Sequence, residues 1–331
     1  MNTEGINSRN PGPDRILGLG EQSEAHLRNK GALEILEKQG LEAFEREKTP
    51  EEMEIIFNVL DRMPDFIREY GSVPERFVSA EQVHILDETK ADSEEVRSML
   101  ESGTAGTYSP VSGRIKILPK QNDYLHMAHV LVHELVHANS FSSMSFDDSG
   151  AEGKKASLRR LGLSANEKGN TFPNLFKFLN EAVTEELTIR FCEKYFMDIR
   201  LTREAFNKYE REGKPAQVEE FGSTFSVVEK TMDPNNLYSY ANERFRFASF
   251  AEAIFHNNKD RFESYEDVLK VFSQAMFTGN LLPIARLVEK TYGKGSFRKV
   301  GKTTEDKAPD MFEVLEKALD EVGLLNNDSE E

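Results

Sequence analysis

One cysteine, Cys192, occurs in 331 residues, so no disulfide can form within the chain. A lone thiol fits a reducing compartment. Its surroundings, residues 189–196, are apolar, which makes it a core side chain rather than a reactive one. No apolar run approaches the roughly 18 residues that a helix needs to cross a bilayer. The opening residues, MNTEGINSRNPGPDR, lack the basic-then-apolar order of a secretory signal. These absences lead to the expectation of a cytoplasmic protein, export by an unusual route aside. Positive charge is scarce too: 42 Lys and Arg against 58 Asp and Glu leave a net charge of -16. Such a surface repels phosphate backbones and anionic lipid heads, which argues against nucleic-acid and membrane partners. Its plainest consequence is solubility, with basic peptides as the partners it favours.

What is present suits a helical protein with a sizeable core. Hydrophobic residues make up 38% and charged residues 30%, a balance that implies heavily solvated helices. Residues 1–22 are rich in Asn, Gly, Pro and Ser without periodicity, and are expected to be disordered. Segment 23–75 reads as a helical pair. Its first helix, 21–48, carries an apolar stripe through Leu33, Leu36, Leu41 and Phe44. The second starts at Pro50 behind Thr49 as N-cap and ends near Gly71. Residues 77–86 read as a strand, and a short helix follows from Ser93. Two further strands, 107–109 and 114–118, flank the turn signal Pro110-Val111-Ser112-Gly113. Asn122 or Asp123 can cap a helix beginning at Tyr124. A polar, glycine-bearing stretch, 141–172, reads as a long loop, and loops of that length are usually functional or disordered. A helix runs from Pro173 to about Asp198, the remainder to 325 is mostly helical, and 326–331 is a frayed tail.

The chemistry concentrates in His133-Glu134-Leu135-Val136-His137. Residues four apart on a helix stand about 40° apart around its axis, so His133 and His137 project side by side and can grip one ion. Glu134 lies about 100° from the first and 60° from the second. Its carboxylate therefore stands beside the ion rather than on it, which is why HExxH binds zinc and supplies a general base together. Leu125, Met127, Ala128, Leu131, Val132, Leu135 and Val136 cover nearly every other direction. A helix apolar almost all round is buried. Buried polar groups need partners, and a metal ion is one. His126 and His129 share the histidine face. No base follows His129, so they are read as hydrogen-bonding or supporting groups.

A catalytic zinc takes three protein ligands and keeps one position for water. The elongated HExxHxxGxxH pattern fails here, because Ser140 and Ser143 stand at its Gly and third His. A downstream carboxylate is needed. Glu181 and Glu185, four apart, share one face of the later helix. Glu186 points about 140° from Glu181 and is expected to face water. Asp147 and Asp148 are alternatives that no helix fixes.

HELVH followed by LNEAVTEEL resembles the gluzincin branch of zinc peptidases, of which thermolysin is the familiar member. The resemblance runs from the strand at 114–118 to Leu187. It implies an α+β, mostly helical fold: a zincin-like catalytic domain over 76–325. Within it, 76–140 would hold a small mixed sheet and the HExxH helix, 141–172 an active-site loop, and 173–325 a helical part. It implies Glu181 of the Asn-Glu dipeptide as third ligand, with Glu185 orienting a zinc-bound histidine. It also implies that strand 114–118 is the edge strand to which an extended peptide pairs. Two departures stand out. The spacing from His137 to Glu181 is 44 residues, longer than thermolysin's, and Glu185 stands where the branch has Asp.

The expectation is one Zn2+ per chain and a peptide or protein substrate, with Glu134 taking a proton from the metal-bound water. Tyr238, Tyr240, Arg244 and His256, on the downstream helical segment, are candidate oxyanion stabilisers. A zincin-like domain that binds peptide or protein without turnover is the alternative, although a mere clamp has no use for Glu134. A structural zinc cage would commonly be Cys-rich, and this chain has only Cys192.

Overall fold

The computed structural model describes residues 15–17, 44–71, 78–90, 94–110, 112–120, 123–147, 155–166, 174–211, 216–220, 223–227 and 241–302. In chain order its elements are β1 (Arg15–Leu17), α1 (Pro50–Glu69), β2 (Val83–Ile85), α2 (Glu94–Ser102), β3 (Gly106–Ser109), β4 (Arg114–Ile117) and α3 (Tyr124–Asn139). There follow β5 (Ser142–Asp147), β6 (Lys155–Leu161), β7 (Ser164–Ala165), α4 (Lys177–Tyr195), α5 (Arg200–Arg211), β8 (Ala216–Glu220) and β9 (Ser223–Val227). The last are α6 (Ala241–Asn257), α7 (Tyr265–Thr278), α8 (Leu282–Tyr292) and α9 (Ser296–Gly301). The class is α+β, mostly helical with small sheets. No helix among the described residues is long and apolar enough to cross a membrane. The chain divides into two compact units, 1–156 with 188–214, and 157–187 with 215–331.

In the first unit, α1 starts where Thr49 and Pro50 predict. The Thr49 hydroxyl accepts the Glu52 N–H at 3.2 Å, and the Glu52 carboxylate accepts the Thr49 N–H at 2.8 Å. This reciprocal cap satisfies two amides that the helix itself cannot. Beyond it Ile55, Ile56, Val59, Met63, Phe66 and Ile67 are buried, at the spacing of one helix face. The predicted hairpin forms, with Gly106 opposite Ile117 and Ser109 opposite Arg114. β2 then pairs parallel to β4, Val83 to Ile115 and Ile85 to Ile117. The sheet order is β2-β4-β3.

That order corrects one expectation. Strand 114–118 is central, and the edge is β3, which pairs with β4 alone among the described residues. The physical reason is the apolar alternation of Val83 and Ile85. Both are fully buried, as are Ile115 and Ile117, so β2 buries its apolar side by pairing alongside β4 and leaves β4 in the middle. The rest of the expected strand over 77–86 is shorter, because Ala80–Gln82 closes a 3₁₀ turn before it. α3 lies across β3 and β4 and also packs on α1 and α5.

β1 pairs parallel with β5, Arg15 to Ser143 and Leu17 to Ser145. The disorder expected over 1–22 therefore fails at 15–17, and its remainder lies outside the described residues. So do 21–43 of the expected first helix and the tail at 326–331. Segment 141–172, read as a loop, holds three strands. Its glycines suggested looseness, but Met144 and Leu158 are buried and anchor β5 and β6.

In the second unit, β6 turns back on β7 through Gly162, pairing Arg160 with Ala165. The hairpin β8–β9, Ala216 opposite Val227, interrupts the stretch expected to be helical. Val218, Thr224, Phe225 and Val227 favour the pleated conformation. α6, α7 and α8 pack against one another, with Phe250 stacked on Tyr292 at 5.0 Å. α4 begins at Lys177, four residues later than Pro173 suggests. Phe176, just before it, takes a φ of 58°, and its N–H donates to the Gly301 carbonyl at 2.7 Å. Its ring occupies the space where a Gly301 Cβ would stand and stacks on Phe297 at 4.6 Å.

Candidate metal centre

α3 is capped by Asp123, whose carboxylate accepts the His126 N–H at 2.9 Å. From Met127 to Ala138 every residue is buried, as the apolar residues on nearly all its faces predict. Burial of two imidazoles and a carboxylate in that helix is the feature needing explanation. His133 and His137 meet through their Nε2 atoms, 3.1 Å apart, with the rings near perpendicular at 76°. Two nitrogens each about 2.0–2.1 Å from a tetrahedral ion stand about 3.3 Å apart, so the observed spacing fits a shared ion. A direct hydrogen bond, one ring donating to the other, is the competing account of the distance.

A third group stands nearby: one ligand atom each from His133, His137 and Glu181 lie within 4.8 Å of one another. Two imidazole nitrogens and one carboxylate oxygen form a donor set that suits zinc.

Glu181 is held by its neighbour. Asn180 is buried; its Oδ1 accepts the Leu163 N–H at 2.9 Å and its Nδ2 donates to Glu181 Oε1 at 3.4 Å. The Asn-Glu dipeptide thus ties the start of α4 to the β6–β7 turn while steadying the carboxylate. Glu185, one turn on, is fully buried. Asp148 and the side chain of Asp147, the alternative ligands, lie outside what is described.

No protein-family model, curated protein or solved structure matches this chain.

His129 is buried, with Nδ1 3.9 Å from Cys192 Sγ, so the lone thiol is a core group as its apolar flanks predict. His126 is pushed down to about 4 by burial, opposed by the nearby Asp123 charge. It is neutral at physiological pH. Tyr238 and Tyr240 lie outside the described residues. His256 Nε2 faces Glu252 Oε1 at 2.9 Å, one turn back on α6.

Two residues behave differently from the sequence reading. Glu186 does not face water. It is fully buried and accepts from Arg244 Nε at 2.9 Å, with Arg244 equally buried. Around the α4 axis Leu179, Ala182, Val183 and Ile189 all lie within about 60° of Glu186. That apolar flank was the signal in the sequence. The other is Gly106 in β3. A Cβ built there would stand 3.0 Å from both Cγ and Oε1 of Glu134. Only a pairing register places Gly106 against α3, and no sequence motif marks it.

Proposed function

We propose that this chain is a zinc-dependent peptidase of zincin-like, gluzincin type. His133, His137 and Glu181 would hold the ion, and Glu134 would be the general base. The observation that carries the reading is the convergence of those three ligand atoms within 4.8 Å, beside a buried Glu134 that is not among them. Bound there, zinc would supply a water of lowered pKa and polarise the scissile carbonyl. Glu134 would take the proton from the attacking water and hand it to the leaving nitrogen. Glu185 would accept an N–H from a zinc-bound imidazole, fixing the tautomer and strengthening the ligand nitrogen. β3, the sheet edge beside Glu134 among the described residues, suits an extended peptide of varied sequence, because pairing there would use main-chain groups. A peptide-binding domain without turnover is the second reading. The intact Glu134 favours the enzyme.

The test is metal content and turnover together. Zinc-loaded protein should hold one ion per chain and hydrolyse peptides until a chelator removes it. A metal content near zero after loading sinks the proposal; one ion without turnover moves it to the binding domain. The Glu181→Ala protein should lose the ion, because two histidines alone leave the site to compete poorly with water.

Glu185→Ala should weaken zinc by about 10–100-fold, the usual effect of removing a group that braces a ligand. Competition against a chromogenic chelator measures it. Wild-type affinity would remove Glu185 from the site.

A further inference from the structure

The geometry points to Gly106 as a positioning residue: its missing side chain is the space that lets the Glu134 carboxylate stand against the β3 backbone. This rests on the peptidase reading given above.

Three observations carry it. Gly106 lies within a strand, opposite Ile117, where glycine weakens pairing and packs nothing. Among the described glycines with a left-handed φ it is absent, so backbone conformation does not demand it. Space does. A methyl at Gly106 would overlap Val130 Cγ1 outright and stand 3.0 Å from Cγ and Oε1 of Glu134, closer than carbon and oxygen settle without movement. Glycine within a strand often marks the close approach of another group, and here that group is the base. β3 is also the sheet edge on the Glu134 side, so the one position that must stay bare lies where strand and base touch. Val130 and Glu134 are four apart on α3 and form the wall that Gly106 meets.

Gly106→Ala alone would strain the core at Val130. The test therefore uses Val130→Ala as background, in the full chain, with Gly106→Ala added to it. Removing the Val130 methyl groups makes room on that side and leaves Glu134 as the contact. Crystal structures of the zinc-loaded proteins and steady-state kinetics on a peptide give two independent readouts. Val130→Ala should keep Glu134 in place and kcat near wild type. The double variant should keep zinc and both histidines in place, with the carboxylate moved by a few tenths of an ångström, enough to relieve the 3.0 Å contacts. A base displaced from its productive position lowers the rate, so kcat should fall below that of Val130→Ala with KM little changed. A carboxylate that stays put, or a kcat equal to that of Val130→Ala, overturns the positioning role. If wild type hydrolyses no peptide, the crystal structures still decide where the carboxylate goes. Inactivity then counts against the peptidase reading alone.

Discussion

The Glu134→Gln protein should bind zinc as wild type does and lose about 10²–10⁴ in kcat. The amide has nearly the shape of the carboxylate, so α3 keeps its packing. It cannot take a proton from water. Coordination is spared because His133, His137 and Glu181 form the cluster without Glu134. The contact with Gly106 is preserved as well, since Gln retains the Cγ and one oxygen that border it. Metal analysis and turnover on one preparation make the comparison. Loss of metal would mean that Glu134 is a ligand, and wild-type kcat would mean that another group is the base. Either outcome dismantles the assignment of roles within HELVH.

Glu186→Ala should cost about 3–5 kcal/mol of stability, the usual penalty for removing one partner of a buried ion pair. Arg244 is 1% exposed and Glu186 0%, so solvent screening does not soften the loss. The Nε–H that met Glu186 at 2.9 Å would face a void that water does not readily fill. Thermal unfolding should fall on the order of 10 °C. Arg244→Ala should be similarly harmful. Replacing both, Glu186→Leu with Arg244→Met, should recover much of the difference, because two apolar groups need no partners. A double-mutant cycle by chemical denaturation measures the coupling. A Glu186→Ala protein that unfolds with wild type would show the pair to be idle.

The contrast between Glu181 and Glu186 shows where the sequence was legible. Helical spacing and a five-residue pattern are local, so α3, its cap and the side-by-side histidines follow from the chain alone. Thr49 and the turn before β4 are local in the same way. Glu181 was singled out only by the resemblance of its Asn-Glu dipeptide to the gluzincins; helical spacing by itself left Glu185 on the same face. Glu186 was expected in water because it points away from the Glu181 face, yet that side is buried too and its partner Arg244 lies 58 positions away. Pairing across such distances leaves no local trace. β2 displaced β4 from the sheet edge for the same reason: a parallel neighbour is chosen by tertiary contact, not by a turn. β5–β7 and the β8–β9 hairpin are short, and short strands among glycines and charges look like loops until a partner arrives.

The left-handed Phe176 has a consequence for α4. A helix has no intrinsic zero of rotation; its first residue fixes the azimuth of all the rest, about 100° per step. Phe176 enters with a φ of 58° that a bulky side chain adopts only under constraint, and the constraint is the Gly301 carbonyl and the ring seated over Gly301. Glu181 follows five residues later. Slippage of that starting point by a single residue would swing its carboxylate by more than a quarter turn. The compass bearing of a proposed metal ligand is thus set by a glycine 120 positions downstream in sequence.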